Sequence, residues 1–230
     1  MKLSIVIPAY NEEKRLGKTL PDFIGYAKKF AEKYKVETEI IVVNDGSKDK
    51  MMDVLENFRN DIKVVSYYPN MGKGYALRQG LKVADGDISY IADSDLSTPI
   101  EYMDHFYKNM KSYDCVIGSR AMGEENIKIS LPRKVLAKGA NLLIRAVLGL
   151  NFKDTQCGFK MFNNEAKKCL LECQNNRFGY DFEFLYLMQK KNLRIKEMPV
   201  KWSAVGESTV KPSSYFKTLA ELLSVRRIHK

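Results

Sequence analysis

The stretch LSIVIPAYNEEKRLGKTLPDFIGYAKKFAEKYKVETEIIVVNDGS, Leu3 to Ser47, holds a short β-branched apolar run, an amphipathic segment reaching about Tyr34, and a second β-branched run, EIIVVND. Strand, helix and strand in that order make a βαβ unit. The rhythm continues outward through a helix, the strand IKVVSYY, another helix and DISYIADSD. Such alternation specifies an α/β fold with a doubly wound, mostly parallel sheet flanked by helices. Ligands of these sheets gather outside the carboxyl ends of the strands. Tyr10, Asn11 and Glu12 follow the first strand, Asp45 and Ser47 the second, Asp93 and Asp95 the fourth, so polar and acidic groups converge on one edge.

The second half is less regular. A strand DCVIGSR, an amphipathic helix from about Arg133 to Leu148, a loop DTQCGFK, a helix around Asp181 to Lys190, a strand RIKEMPVKW and a last helix from about Ser214 to Arg227 are expected. At 230 residues and 45% apolar content one domain is expected, with no repeats or low-complexity linker. A net charge of +10 and a pI near 9.3 point to an anionic partner: nucleic acid, a phosphorylated substrate or an acidic membrane surface. No run of about 18 to 20 apolar residues offers a membrane span, and Met1 to Ser4 leads straight into a strand. A cytoplasmic protein, soluble or peripheral, is expected. Cys115, Cys157, Cys169 and Cys173 lack CxxC spacing and read as reduced thiols; Cys169 and Cys173 alone make no zinc site.

The segment DSD, Asp93 to Asp95, ends an apolar run, and Pro99 just beyond it can start a helix. Two carboxylates two residues apart at a strand end can share a hard divalent ion and leave positions open for diphosphate oxygens. The same pattern also occurs in ordinary turns. Neither GxGxxG nor a Walker loop is present, which excludes the commonest dinucleotide and P-loop sites. NMGKG, Asn70 to Gly74, reads equally as a turn into a helix or as a contact near a nucleotide.

VIPAYNEE (Val6 to Glu13), VVNDGSKD (Val42 to Asp49), GKGYALRQG (Gly72 to Gly80), DSD and GSR (Gly118 to Arg120), in that order, resemble the motifs of family-two glycosyltransferases of GT-A fold. DTQCGFK (Asp154 to Lys160), RFGYDFEFLYL (Arg177 to Leu187) and PVKW followed by GES look more narrowly like the dolichyl-phosphate β-glucosyltransferases, with the dolichyl-phosphate mannose synthases next. The resemblance implies a nucleotide-sugar-binding half over residues 1–120 and an acceptor- and membrane-facing half over 121–230. It places Pro8, Tyr10, Glu12, Val43 and Asp45 around base and ribose, with Lys73 and Ser94 beside them. It assigns Mg²⁺ or Mn²⁺ with the donor diphosphate to Asp93 and Asp95. Asn44 departs from the usual DDGS. Ser203 and Thr209 stand where the mannose synthases carry cations, which favours UDP-glucose over GDP-mannose and leaves Lys211 as a substitute cation.

A phosphate monoester, with a second pKa of about 6, is already a nucleophile near pH 7 and needs cations rather than a base. Arg120 and Arg133 are the candidates, because a guanidinium fork matches phosphate oxygens. Inversion from an α-linked donor would give a β-linked lipid-phosphate sugar. Asp154 and Asp181 could orient the sugar, the acceptor or the DSD loop, or could be turn and helix-start acids. KVLAKGANLLIRAVLGLNF (Lys134 to Phe152) and YFKTLAELLSVRRIHK (Tyr215 to Lys230) read either as interfacial helices or as core helices with a solvated face. A family-two transferase with a soluble glycan acceptor is the runner-up, without the QxxRW segment of processive synthases. A nucleic-acid-binding protein is disfavoured, because the basic residues are scattered while acids line the expected cleft.

Overall fold

A computed structural model of the chain describes residues 1–123, 131–203 and 213–229, with the side chains of 131–135 and 213–217 left aside. The elements run β1 Lys2–Ala9, α1 Glu13–Tyr34, β2 Glu37–Asp45, α2 Met51–Glu56, β3 Lys63–Tyr67, α3 Lys73–Lys82, β4 Ile88–Ile91, α4 Tyr102–Asn109 and β5 Cys115–Ser119. They continue as α5 Leu131–Leu148, β6 Lys160–Asn163, α6 Asn164–Glu172, α7 Tyr180–Lys190, β7 Ile195–Pro199 and α8 Ser213–Ile228. Among the described residues seven strands form one sheet in the order β3-β2-β1-β4-β6-β5-β7. All neighbours are parallel except β6, which runs antiparallel between β4 and β5. The doubly wound, mostly parallel sheet expected from the sequence is therefore present, and both halves of the chain contribute to it.

The strands are apolar because both faces are covered. Ile5 and Ile7 pack on one side with Leu16, Leu20 and Phe23 of α1; Val6, Ile41 and Val43 pack on the other with Leu77 and Leu81 of α3. Burial on both sides erases the in-out alternation of a half-exposed strand. Gly80 lets α3 lie flat on the sheet, since a Cβ there would stand 2.6 Å from Val6 and 2.7 Å from Val43.

Two sequence expectations need correction. DTQCGFK is not wholly loop: its Lys160 opens β6, a central four-residue strand. The four-residue spacing of Cys169 and Cys173 reads as helical, and α6 does run up to Cys173; Asn163 caps it by accepting the Ala166 amide at 3.1 Å and Glu165 sits in its first turn. The helix after DSD begins at Tyr102, not at Pro99, whose carbonyl instead accepts the Tyr102 amide at 3.2 Å in a turn.

Each of the two helices read as interfacial or core-packing has a core-packed face and an exposed apolar face. Ile144 and Leu148 of α5 and Leu222 and Val225 of α8 are buried, whereas Leu136, Leu142 and Leu143 of α5 and Leu219 and Leu223 of α8 are exposed. The two helices touch, and the exposed leucines are accompanied by Lys138, Arg226 and Arg227. No helix among the described residues is long and apolar enough to cross a membrane.

Candidate active site

Parallel pairing sends the carboxyl ends of β1, β2, β3, β4, β5 and β7 to one edge of the sheet. The antiparallel β6 starts at that same edge, so the DTQCGFK turn arrives there as well. Topology alone thus brings Tyr10, Asp45, Asp93, Arg120 and Asp154 together.

At the end of β4, Asp93 forms an ion pair with Lys73, the first residue of α3. Burial opposes ionisation of Asp93, but the Lys73 charge and hydrogen bond, with Arg120 and Lys160 behind it, hold the carboxyl below its usual range. Asp95 Oδ1 accepts the Ser97 amide at 2.9 Å, and the Ser94 carbonyl accepts the Thr19 hydroxyl at 2.7 Å, which fixes the turn between the two acids. Ser94 itself is buried. The donor set suits Mg²⁺ or Mn²⁺, hard ions held by one or two protein carboxylates and otherwise by phosphate oxygens and water. Among the described residues no group of three His, Cys, Asp or Glu side chains is arranged for a metal, so an ion here would depend on oxygens of the donor.

NMGKG is a packed turn. Asp45 accepts the Tyr67 hydroxyl at 2.9 Å, the Asn70 amide group at 2.7 Å, and the backbone amides of Met71 at 2.7 Å and Gly72 at 2.9 Å. The amides of Gly74 and Tyr75 in the first turn of α3 donate to the carbonyls of Arg177 at 3.3 Å and Asn176 at 3.0 Å. Two of the amides at the helix N-terminus are therefore already satisfied by protein. Gly72 has a φ of +104° and would place a Cβ 2.6 Å from the Asn176 carbonyl, which explains the glycine. Asp45, expected at the nucleotide, is thus the anchor of this turn.

Val43 is wholly buried, and its side chain faces Gly80 in the core, so the expected nucleotide contact has no side-chain basis there. Pro8, its register partner, is half-buried, and Tyr10 is exposed at the edge. Glu12 pairs with Arg15 at 2.9 Å; burial raises its pKa despite that pair. Asn11 staples the two first loops, accepting the Lys48 amide at 2.8 Å while its own amide donates to Ser47 at 2.9 Å.

On the other side Arg120 is clamped by Asp154: Nε to Oδ2 at 2.8 Å, Nη2 to Oδ1 at 3.0 Å, and the Arg120 amide to Oδ2 at 3.0 Å. Burial opposes both charges, yet each holds the other ionised, lowering the Asp154 pKa and raising that of Arg120. Arg120 is still 34% exposed, and its Nη1 makes no hydrogen bond among the described residues. Two residues that the sequence reading missed hold this turn. Glu197 of β7 accepts the amides of Lys153 at 2.9 Å and Asp154 at 2.7 Å, and Asn141 of α5 accepts the Thr155 amide at 3.1 Å. Neither carries a motif signal; each lies in an ordinary polar position of its element.

Asp181, in the first turn of α7, pairs with Lys160, also missed as a site residue although a lysine amid GFKMF is conspicuous. The Arg133 side chain, Thr209 and Lys211 lie outside the described residues. Ser203 lies beside the DSD loop, its amide donating to the Ser97 carbonyl at 2.9 Å.

The family model described as glycosyl transferase family 2 matches residues 4–171. The chain is 37% identical over 239 residues to the dolichyl-phosphate beta-glucosyltransferase ALG5A of Trichomonas vaginalis, a match covering 99% of this chain and 74% of that protein. It is 31% identical over 242 residues to the dolichyl-phosphate beta-glucosyltransferase of Homo sapiens, covering 98% and 75%. Among solved structures, glucosyl-3-phosphoglycerate synthase from Mycobacterium tuberculosis, in complex with Mn²⁺, UDP and glucosyl-3-phosphoglycerate, superposes with a TM-score of 0.68 at 19% identity over 97% of this chain and 79% of that one. Mannosyl-3-phosphoglycerate synthase from Rubrobacter xylanophilus gives a TM-score of 0.73 at 17% identity, covering 100% and 74%. These likenesses agree with the GT-A type sheet, and the ordered motifs on its edge agree with the sequence match: the chain belongs to glycosyl transferase family 2.

Proposed function

We propose that this transferase moves glucose from UDP-glucose, with inversion, to the phosphate of dolichol or a related polyprenyl lipid. The observation that carries the reading is the 37% identity to a dolichyl-phosphate beta-glucosyltransferase over 99% of the chain. The site's chemistry supports it. Its edge is lined by cations and carboxylates, while both histidines of the chain lie elsewhere, His105 in α4 and His229 beyond α8. A phosphate acceptor is already a nucleophile and suits a site with a guanidinium in place of a base.

Arg120, held in one orientation by Asp154, presents its remaining donors to the acceptor phosphate and lessens its repulsion from the donor diphosphate. Arg133 and Lys211 are proposed as further acceptor-side cations. Asp93 and Asp95 would hold Mg²⁺ or Mn²⁺ with the donor diphosphate, and a bound ion there offsets charge on the departing nucleoside diphosphate. Lys73 faces the same diphosphate from α3. Pro8, Tyr10 and Glu12 border the base and ribose. The line near residue 120 is a division of labour, donor side and acceptor side, within one domain.

The exposed leucines of α5 and α8 with their basic neighbours form the surface that meets the lipid. Leucine side chains take the hydrocarbon boundary while lysine and arginine meet anionic headgroups. The enzyme would act as a peripheral protein on the cytoplasmic membrane face, where its buried, unpaired cysteines stay reduced. A direct test incubates chelator-treated protein with labelled UDP-glucose and dolichyl phosphate and follows label into the organic phase. Transfer restored by Mn²⁺ or Mg²⁺ is expected; no lipid-borne label with either ion would defeat the proposal.

A further inference from the structure

Lys160 and Asp181 form an ion pair that no step above uses. Lys160 stands in the middle of the sheet, in register with Ile91 of β4 and Ile117 of β5, and the two side chains are 1% and 5% exposed. Its amine also donates to the Cys157 carbonyl and lies 5.7 Å from the centre of the Tyr180 ring. Burying two charges is costly, and an apolar pair of the same volume usually serves packing as well or better. The charges must therefore be considered for what stands next to them.

What stands next to them is the donor side of the site. The Cys157–Gly158–Phe159 turn, tied down by Lys160, lies against the Asp93–Lys73 pair: a Cβ on Gly158 would be 2.9 Å from both Asp93 Oδ2 and Lys73 Nζ. Lys160 adds positive potential at Asp93, and Asp181 adds negative potential at Lys73 and Arg120. Cations and anions thus alternate, with one pair sealed in the interior and the other facing the site.

We infer that Lys160 and Asp181 are positioning residues of the transferase, a buried charge pair that sets Asp93 and Lys73 in the orientation required by the metal and the donor diphosphate. This rests on the donor-site reading above. The sealed pair cannot touch donor or acceptor, so it acts only through the turn and the field it creates. Outer-shell partners of this kind typically carry about 10–100-fold in metal affinity or activity.

The test uses the whole chain and two variants. Lys160→Met/Asp181→Leu removes both charges while keeping volume, and thermal stability should be retained. Gly158→Ala leaves the pair intact but pushes a methyl into the flexible ends of Asp93 and Lys73, a small disturbance for the fold and a direct one for the site. For each, UDP binding with Mn²⁺ is measured by calorimetry and uridine binding by ligand-observed NMR. The expected result is a UDP–Mn²⁺ dissociation constant raised about tenfold or more, with uridine binding unchanged. Wild-type UDP–Mn²⁺ affinity in the folded double variant, or in Gly158→Ala should the double variant not fold, would overturn the inference. An equal loss for uridine would also overturn it, making the pair a general prop. Wild-type protein that binds no UDP with Mn²⁺ would instead bring down the donor-site reading on which the inference stands.

Discussion

Arg120 is where donor and acceptor effects can be separated most cleanly. Changing it to Ala removes the two guanidinium bonds to Asp154, at 2.8 and 3.0 Å, together with the one to the Gln156 carbonyl at 3.1 Å. Asp154, at 9% exposure, keeps only the backbone amides of residue 120 at 3.0 Å and Gln156 at 3.1 Å. Breaking a buried pair from one side costs about 3–5 kcal/mol. The partial exposure of Arg120 and the two surviving amide bonds bring the expected loss to about 2 kcal/mol, which a domain of ordinary stability tolerates. The chemical effect is separate: a charge-assisted phosphate contact is worth about 1.5–3 kcal/mol, or roughly ten- to a hundredfold in acceptor efficiency. Arg120→Lys keeps a charge but lacks the fork, so only partial rescue is expected. The assay varies dolichyl phosphate at saturating UDP-glucose and, in parallel, measures UDP binding with Mn²⁺. Acceptor efficiency should fall while donor affinity stays close to wild type. Wild-type acceptor efficiency in Arg120→Ala, or donor affinity falling in step with it, would show that Arg120 does not hold the acceptor.

Other outcomes can be stated briefly. Asp95→Ala should abolish transfer and metal-dependent donor binding while costing only about 1 kcal/mol of stability, since Asp95 is a partly exposed turn residue whose loss leaves the Ser97 amide without its acceptor; calorimetry and thermal unfolding would check both. Gly72→Ala should destabilise by more than about 1 kcal/mol, because its φ of +104° and the Asn176 carbonyl 2.6 Å from the new methyl both oppose it; denaturant unfolding measures this. Burial opposes the charge on Glu39, but Lys63, Ser4, the Asp85 amide and Lys2 depress its pKa from 4.5 to about 2. A depressed carboxyl stabilises the fold above its unfolded pKa, so on the order of 2 kcal/mol should be lost as pH falls from 4.5 toward 2, and Glu39→Gln should flatten that limb in pH-dependent thermal unfolding. The transfer rate should fall as the acceptor phosphate protonates around pH 6, with no essential base titrating above it; a pH–rate profile with a further limb near neutrality would contradict this.

Much of the fold was legible because the first half of the chain is locally consistent. Leu3 to Ser47 spells a βαβ unit in β-branched runs and one long amphipathic helix, and the strand-end rule then points to the edge that carries the candidate site. What escaped was short or defined by tertiary contact. The four residues of β6 have no periodicity of their own, and their place between β4 and β5 depends on pairing from both sides. DSD and GSR stand out in the sequence as candidate chemistry, and the fold brings both to the same sheet edge. A motif position does not reveal which face of a buried strand a side chain takes, and Gly80 settles that the Val43 side chain faces the core. Asp45 illustrates the same limit, since its turn-anchoring bonds come from residues some 25 positions away. The charge pairs Lys73–Asp93, Arg120–Asp154 and Lys160–Asp181 each join separate elements, so only the folded chain brings them together.

The most direct single measurement is a two-by-two transfer assay with the purified chain and Mn²⁺. UDP-glucose and GDP-mannose are each offered with dolichyl phosphate and with a soluble glycan acceptor, and products are identified by mass. The expected result is a glucosylated lipid phosphate from UDP-glucose and dolichyl phosphate, with little product in the other three combinations. Equal or greater transfer from GDP-mannose, or glucose delivered to the soluble hydroxyl acceptor as readily as to the lipid phosphate, would contradict it.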